Sequence, residues 1–441
     1  MKLTFMGAGS TVFAKNVLGD VMLTDNMHDF EIALYDIDAQ RLEESFILID
    51  AINRKLNEGR ATVEKYLGVA QRKDALRNAD FIVNAIQVGL YDPCTIIDFE
   101  IPKKYGLRQT IGDTLGIGGI MRGLRTIQVL KGFARDMEEV CPNALFLNYT
   151  NPMAIVTGFM QRYSKIRTVG LCHSVQACTY CLLTELGMED KLDGRIETIA
   201  GINHMGWLLD IRDKFGNDLY PEIRRRALEK NRTEKHNDMV RFEIMKHFGY
   251  YNTESSEHTA EYHPYFIKKL YPELIEEFNI PLDEYLRRCQ NQIAGWHRQR
   301  DEIVHNKQLT HTRTLEYGSY IMEAMITDKP IEIGGNVLNN GLISNLPAEA
   351  CVEVPCLVNR NGVQGCAVGE LPPQCAALNM THINVHNLVI EAAMAKSRSL
   401  VYQAAMLDPH TRSELTLDEI KAMCDDLFEA HIRDGVMLEY K

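Results

Sequence analysis

A chain of 441 residues with a net charge of −12 and no basic stripe argues against a nucleic-acid partner. The apolar fraction of 45% and the charged fraction of 24% are ordinary for a soluble globular protein, and no apolar run approaches the roughly 18 residues that a membrane helix needs. Eleven cysteines without framework spacing, and an N-terminus that enters a strand at once, predict reduced thiols and a cytoplasmic protein.

The chain opens on a predicted strand, a glycine-rich turn and a helix, and the next strand, residues 31–35, ends in an acid. Glycines at such a turn let backbone N–H groups approach a pyrophosphate, and an acid after the second strand can bind ribose hydroxyls. The third glycine of the usual fingerprint is absent, so a tight turn without a ligand is the alternative. The predicted dinucleotide-binding residues are Gly7, Gly9, Ser10 and Asp36.

Residues 80–86 predict a further strand of the same sheet. In a doubly wound sheet the end of this strand borders the nicotinamide side of the crevice. Asn84 and Gln87 are therefore candidate cofactor contacts, and ordinary loop amides are the alternative.

A second glycine-rich turn, residues 112–119, precedes a long predicted helix. Three glycines within four residues imply that another group approaches the backbone closely. Asp113 lies at the mouth of this turn and is a candidate for orienting substrate or a metal-bound water. The alternative is an acid that only interacts with the helix dipole.

The centre of the predicted sheet lies within residues 144–175, where two apolar runs flank a helix-like segment. Strand, helix and strand in this order imply a parallel pair with its functional groups at the strand C-termini. The polar residues at these ends are Asn148, Asn151, Cys172 and His173.

Cys172 is also half of a candidate metal site with His204, which follows the strand-like residues 196–200. A thiolate and an imidazole together suit a soft or borderline divalent cation. The spacing matches no local metal pattern, so a small buried cysteine remains the alternative.

The pattern of predicted helices and strands changes after residue 211. Residues 220–305 are mostly helical and charged in pattern, residues 330–372 suggest strands with loops, and two helical segments follow. We therefore predict two domains, a dinucleotide-binding Rossmann-like domain over residues 1–195 and an α+β domain for substrate binding and oligomerisation over residues 196–441.

Five motifs are distributed along the chain, namely Gly7-Ala8-Gly9-Ser10, Asp113-Thr114-Leu115-Gly116 with Gly118-Gly119-Ile120, Asn148-Tyr149-Thr150-Asn151-Pro152, Cys172-His173-Ser174-Val175 and Gly201-Ile202-Asn203-His204. Together they resemble the NAD- and manganese-dependent glycosidases of glycoside hydrolase family four, and the likeness extends across most of the chain. Cys-His-Ser-Val is similar to the α-galactosidase (melibiase) branch, as is the stretch that ends in Glu261-Tyr262. Ile117 stands where other members show proline, and some relatives carry Cys-Asp at 172–173.

The resemblance implies a Rossmann-type doubly wound parallel sheet with a second α+β domain, similar to the lactate/malate dehydrogenase superfamily. It implies NAD and Mn²⁺ as cofactors, with the metal on Cys172 and His204. Tyr262 would be the base, and His173 or Asp113 would assist departure of the aglycone. The substrate-binding candidates are Asn148 and Asn151.

The activity that the resemblance implies is hydrolysis of α-galactosides such as melibiose, by oxidation at C3, loss of the C2 proton, elimination at C1 and addition of water. The alternatives are an α-galacturonidase of the same family and an NAD-dependent sugar or hydroxy-acid dehydrogenase, with a non-catalytic NAD-binding sensor more distant. A homodimer or homotetramer is expected for such a fold, with no nucleic-acid or membrane partner.

Overall fold

The structure is a computed structural model that describes residues 1–304 and 310–441. Its N-terminal part alternates strands with helices. The strands are β1 (Lys2–Met6), β2 (Glu31–Asp36), β3 (Thr62–Leu67), β4 (Phe81–Asn84), β5 (Leu145–Asn148) and β6 (Arg167–Gly170). The helices are α1 (Thr11–Met22), α2 (Ala39–Leu56), α3 (Gly68–Leu76), α4 (Ile96–Lys104), α5 (Gly116–Val140), α6 (Met153–Tyr163) and α7 (His173–Glu185).

The C-terminal part is richer in helix. Its strands are β7 (Ile196–Ile202), β8 (Met205–Arg212), β9 (Tyr251–Asn252), β10 (Ile331–Leu338), β11 (Cys351–Asn359) and β12 (Gly362–Gly365). Its helices are α8 (Tyr220–Thr233), α9 (Met239–Phe248), α10 (Ser256–Tyr262), α11 (Glu273–Glu277), α12 (Glu284–Val304), α13 (Tyr317–Thr327), α14 (Pro373–Ala395), α15 (Arg398–Leu407), α16 (Pro409–Glu414) and α17 (Leu417–Arg433). None of the helices described is long and apolar enough to cross a membrane.

The first six strands pair in parallel in the order β3-β2-β1-β4-β5-β6. This is the strand order of a doubly wound Rossmann sheet, so the predicted fold class is confirmed. The central strands are covered by helices on both faces, and for that reason β4 and β5 appear in the sequence as short continuous apolar runs.

The sheet continues beyond β6 into the C-terminal part. β10 pairs antiparallel with β6 through Asn336 and Gly170, and β11, β7, β8 and β9 follow. β11 meets β7 through Glu353 and Gly201. The predicted α+β character of the second part is present, but its strands extend the same sheet. The division at residues 195 and 196 stays a prediction.

Alternate residues of the central strands supply two apolar cores, one on each face of the sheet. Leu3, Phe5 and Val83 belong to one core, and Met6 and Ile82 to the other. The second core also takes in buried side chains of α5, α14 and α17, so the C-terminal helices pack onto the N-terminal part. The carboxyl ends of β1, β4, β5 and β6 carry the glycine turn, Asn84, Asn148 and Cys172, in that order.

Candidate active site

Three side chains that could bind a metal ion converge near the carboxyl end of β6. Cys172 Sγ, a ring nitrogen of His204 and a carboxylate oxygen of Glu254 lie within 4.8 Å of one another. Cys172 immediately precedes α7, His204 lies between β7 and β8, and Glu254 lies between β9 and α10. In the part of the chain that the structure describes, no other group of three His, Cys, Asp or Glu side chains could hold a metal ion. The two residues of the predicted metal pair are brought together, and Glu254 joins them.

The backbone is unusual at two of these residues. His204 has a φ of 62° and Glu254 a φ of 67°, both in the left-handed region that side chains rarely adopt. Such conformations concentrate at functional sites, where the surrounding structure enforces them. For His204 the enforcing structure is the hairpin, because β7 ends at Ile202 and β8 begins at Met205.

Tyr262 contacts this cluster through His204. The Tyr262 hydroxyl lies 3.0 Å from His204 Nδ1, and His204 Nε2 lies 3.4 Å from Glu254 Oε2. Tyr262 is completely buried, and burial, reinforced by the neighbouring Glu261, raises the pKa of its phenol well above the usual value. A divalent cation at His204 would oppose this shift, because a nearby positive charge favours the phenolate.

Asp113 lies in a second polar group beside the cluster. Asn151 Nδ2 donates to Asp113 Oδ2 over 3.3 Å, and Arg122 Nη1 lies 3.8 Å from the same oxygen. Burial by itself would raise the pKa of Asp113, but Arg122 and then His258 outweigh it, so the pKa is lowered. An ionised Asp113 accepts hydrogen bonds from hydroxyl groups and has no proton to donate. Sequence reasoning did not single out Arg122.

His258 joins the two groups. Its Nε2 lies 3.9 Å from Asp113 Oδ1, and its Nδ1 lies 3.6 Å from Glu254 Oε1 and 2.9 Å from Ser255 Oγ. The ring of His258 also packs edge-on against that of His204, with centroids 4.9 Å apart. The metal cluster and the Asp113 group therefore form one polar centre.

His173 is the first residue of α7, and its side chain is 53% exposed. Its Nε2 lies 2.7 Å from Oε2 of Glu316, and this hydrogen bond raises the pKa of the imidazole. The rings of Tyr149 and Tyr317 flank the imidazole at 6.1 and 6.2 Å. Glu316 lies far from His173 in sequence, and nothing in the sequence pattern indicated it.

The glycine turn after β1 has the features of a dinucleotide cradle. Gly7 has a φ of 83°, and a Cβ there would lie 2.7 Å from the Ala85 carbonyl. Asp36 accepts the backbone N–H of Gly9 over 2.7 Å, which ties the end of β2 to the turn. Ser10 makes no side-chain cap to α1, so the first N–H groups of this helix are available to an anion.

The amides at the ends of β4 and β5 differ in how far other protein groups engage them. Asn84 Nδ2 donates to Asn148 Oδ1 over 2.8 Å, and Asn148 also bonds to Thr150 and Thr157. Because these internal bonds use both the donors and the acceptor of Asn148, its predicted contact with substrate lacks a free group. Asn84 Oδ1 is buried without a partner among the described residues and remains open to a cofactor. Gln87 is partly exposed in the loop after β4.

Comparison with known proteins gives concordant matches over both parts of the chain. The family model described as Family 4 glycosyl hydrolase matches residues 2–188, and that of the Family 4 glycosyl hydrolase C-terminal domain matches residues 199–411. A protein of Bacillus subtilis (strain 168) called alpha-galactosidase is 61% identical over 430 residues, 98% of each chain. The crystal structure of the putative glucosidase lplD from Bacillus subtilis has a TM-score of 0.85 at 25% identity, covering 97% of this chain and 99% of that one. A 6-phospho-alpha-glucosidase from gut microorganisms, solved in complex with NAD and Mn²⁺, has a TM-score of 0.81 at 22% identity, covering 100% of this chain and 99% of that one.

Proposed function

The chain belongs to the family 4 glycosyl hydrolases, and on that premise we propose that it hydrolyses α-galactosides such as melibiose with NAD⁺ and Mn²⁺ as cofactors. The observation that carries the proposal is the cluster of Cys172, His204 and Glu254 beside Tyr262. This cluster lies near the carboxyl end of β6 in a Rossmann-type sheet. The high identity to the Bacillus subtilis protein called alpha-galactosidase supports a galactoside as the substrate.

The pairing of charges favours a neutral galactoside over the main alternative, an α-galacturonide. The carboxylate of a galacturonide would need a cationic partner that is not already neutralised. Of the arginines described around the site, Arg122 faces Asp113, and Arg288 donates to both Glu257 and Glu284. The other alternative is a simple dehydrogenase. The matches to the two family 4 models do not support it.

The residues present fit both cofactors. The uncapped α1 and the glycine turn suit a pyrophosphate, and a thiolate, an imidazole and a carboxylate together suit a divalent transition-metal cation. When bound, NAD⁺ would supply reversible hydride transfer at C3 of the galactose ring and the cation a positive charge beside the sugar oxygens, which together make the C2 proton acidic.

Tyr262 would remove the C2 proton. Its hydroxyl lies beside His204, one of the proposed metal ligands, so the phenolate form would be favoured at the place where the proton leaves. The same phenol would return the proton to C2 when water adds to the unsaturated sugar.

His173 would give a proton to the departing aglycone oxygen, and Asp113 would hold sugar hydroxyls. The imidazole of His173 is hydrogen-bonded to Glu316 and half exposed, as an acid that meets a leaving group must be. The Asp113 carboxylate faces Arg122 and accepts from Asn151, which suits it to hydroxyl binding.

The proposal is tested by the release of galactose from 4-nitrophenyl α-galactoside and from melibiose, with and without NAD⁺ and Mn²⁺. We expect activity only with both cofactors, no net formation of NADH, and deuterium at C2 of the galactose after turnover in D₂O. NADH formed in proportion to product would instead indicate a dehydrogenase. Galactose with a fully protonated C2 would argue for a mechanism through two carboxylates.

We also propose that the enzyme works in the cytoplasm as a homodimer or homotetramer. All eleven cysteines are free, and the Cys172 thiol must stay reduced to bind a cation. Large apolar side chains such as Phe215, 80% exposed, and Leu270, 83% exposed, are suited to a contact between copies. Light scattering, compared with the chain mass of 50.2 kDa, measures the oligomeric state, and a monomer at working concentration would reject the proposed dimer or tetramer.

A further inference from the structure

Glu316 is a buried carboxylate at the end of a short connecting segment, residues 310–316, which we call the strap. It is 9% exposed, and its Oε2 lies 2.7 Å from His173 Nε2. The strap enters α13, whose first residue, Tyr317, donates its hydroxyl to the carbonyl of Cys172 over 2.8 Å. The strap and the start of α13 therefore contact both residues of the Cys-His pair.

The other end of the strap is held by α1. Asp20 is completely buried, and its carboxylate accepts the Thr314 N–H over 2.9 Å and the Thr314 hydroxyl over 2.5 Å. The same carboxylate lies 2.7 Å from His311 Nε2. Thr314 Oγ1 in turn accepts the backbone N–H of Glu316 over 3.1 Å. These bonds fix Glu316 relative to the helix that follows the dinucleotide turn.

The orientation of His173 follows from this arrangement. With Nε2 engaged by Glu316 and the ring flanked by Tyr149 and Tyr317, rotation of the imidazole is restricted. Within the described residues, no hydrogen bond engages His173 Nδ1. That nitrogen is therefore the one available to a ligand.

Building on the proposed function, we infer that Glu316 is a positioning residue that holds His173 so that Nδ1–H points at the aglycone oxygen. As the C1–O bond breaks, its electron pair stays on that oxygen and the Nδ1 proton is transferred to it. The imidazole is left neutral, with its Nε2–H still donated to the Glu316 carboxylate. The proton is replaced from the water that later adds to C1.

The test compares Glu316→Ala and Glu316→Gln with Glu323→Ala. Glu323 is a matched control, because it lies on α13, which Glu316 precedes, and its carboxylate is bonded to Arg313 of the strap. Among the described residues, no hydrogen bond or ion pair joins the Glu323 side chain to a site residue. Each variant is assayed on melibiose, whose sugar leaving group needs a proton, and on 4-nitrophenyl α-galactoside, whose phenolate leaves without one. Melibiose recovered unreacted from D₂O is analysed for deuterium at C2.

We expect Glu316→Ala to lower kcat on melibiose about 10- to 100-fold, by analogy with the loss of a group that orients a metal-binding histidine. The fall on the nitrophenyl substrate should be less than about threefold, since general acid assistance is not needed there. Deuterium in unreacted melibiose, per molecule cleaved, should rise because proton removal at C2 continues while elimination is slow. Glu316→Gln should recover part of the activity, because its amide oxygen still accepts from Nε2, and Glu323→Ala should match wild type.

If Glu316 has a purely structural role, its loss lowers activity on both substrates by the same factor. The deuterium found in unreacted melibiose per molecule cleaved then stays unchanged. Either result overturns the inference. Full melibiose activity in Glu316→Ala overturns it as well. If that variant unfolds, Thr314→Val, which removes two bonds of the strap and keeps Glu316, must show the same substrate difference. A wild-type enzyme that releases no galactose from either substrate would reject the proposed function itself, a result that the wild-type assays give separately.

Discussion

Replacing Glu254 by Gln should weaken Mn²⁺ binding about 30- to 150-fold. The Glu254 oxygen lies within 4.8 Å of the Cys172 and His204 ligand atoms, so a cation held by all three would meet it directly. Two unit charges about 4 Å apart interact by about 4 kcal/mol at an effective dielectric constant near 20, so a carboxylate and a divalent cation interact by about 8 kcal/mol. The neutral amide oxygen of glutamine can still meet the cation, and together with water it recovers most of this energy, which leaves a net loss of about 2–3 kcal/mol and gives the stated change in Kd.

Glutamine keeps the size of the side chain and the same left-handed backbone, at a φ of 67°, so the substitution chiefly removes the charge. The assay is a titration of free Mn²⁺ by electron paramagnetic resonance, with NAD⁺ affinity measured in parallel and expected to stay constant. Glu257→Gln is the control, because Glu257 lies three positions further along the chain and is bonded to Arg288. Unchanged Mn²⁺ affinity in Glu254→Gln would refute the reasoning and leave Cys172 and His204 as the protein ligands.

The other predictions concern residues of the same centre. Cys172→Ser and His204→Ala should each remove most activity and most bound metal while NAD⁺ affinity is retained; full manganese occupancy in both would remove them from the ligand set. Asp36→Ala should weaken NAD⁺ far more than substrate, because Asp36 organises the glycine turn at Gly9, and a titration that gives unchanged NAD⁺ affinity would contradict this. Tyr262→Phe should keep the fold and lose exchange at C2 of the galactose; exchange at the original rate, followed by NMR in D₂O, would place the base elsewhere.

The Rossmann part of the fold was predictable because its signals are local. β4 is a short apolar run and β1 is largely apolar, and both are buried along their whole length. The turn after β1 contains Gly7, the glycine that the close approach of Ala85 requires. β3 (Thr62–Leu67) was not predicted. It is an edge strand with mostly exposed side chains, so it lacks the apolar pattern by which a buried strand is recognised.

The candidate site was predictable only in part, because its members come from segments far apart in the chain. Cys172 and His204 were indicated as a pair, and the structure brings them together with Glu254. Glu254 and Glu316 have no local signal, since an acid before a short helix or at the end of a connecting segment looks like many surface acids. For Asn148 the local signal was present, because its position at a strand end suggested a ligand contact. In the structure its amide is hydrogen-bonded to Asn84 and Thr157 instead.

The sequence by itself determined which chemical groups the protein has and where its turns and buried strands lie, because apolar periodicity and glycine turns act over a few residues. Only the tertiary structure decided which of those groups meet. The sheet continues from β6 through β10 and β11 to β7, and this pairing carries the His204 turn to the end of β6, where Cys172 lies. Pairing between strands so distant in the chain depends on packing of the whole domain, and no local pattern encodes it.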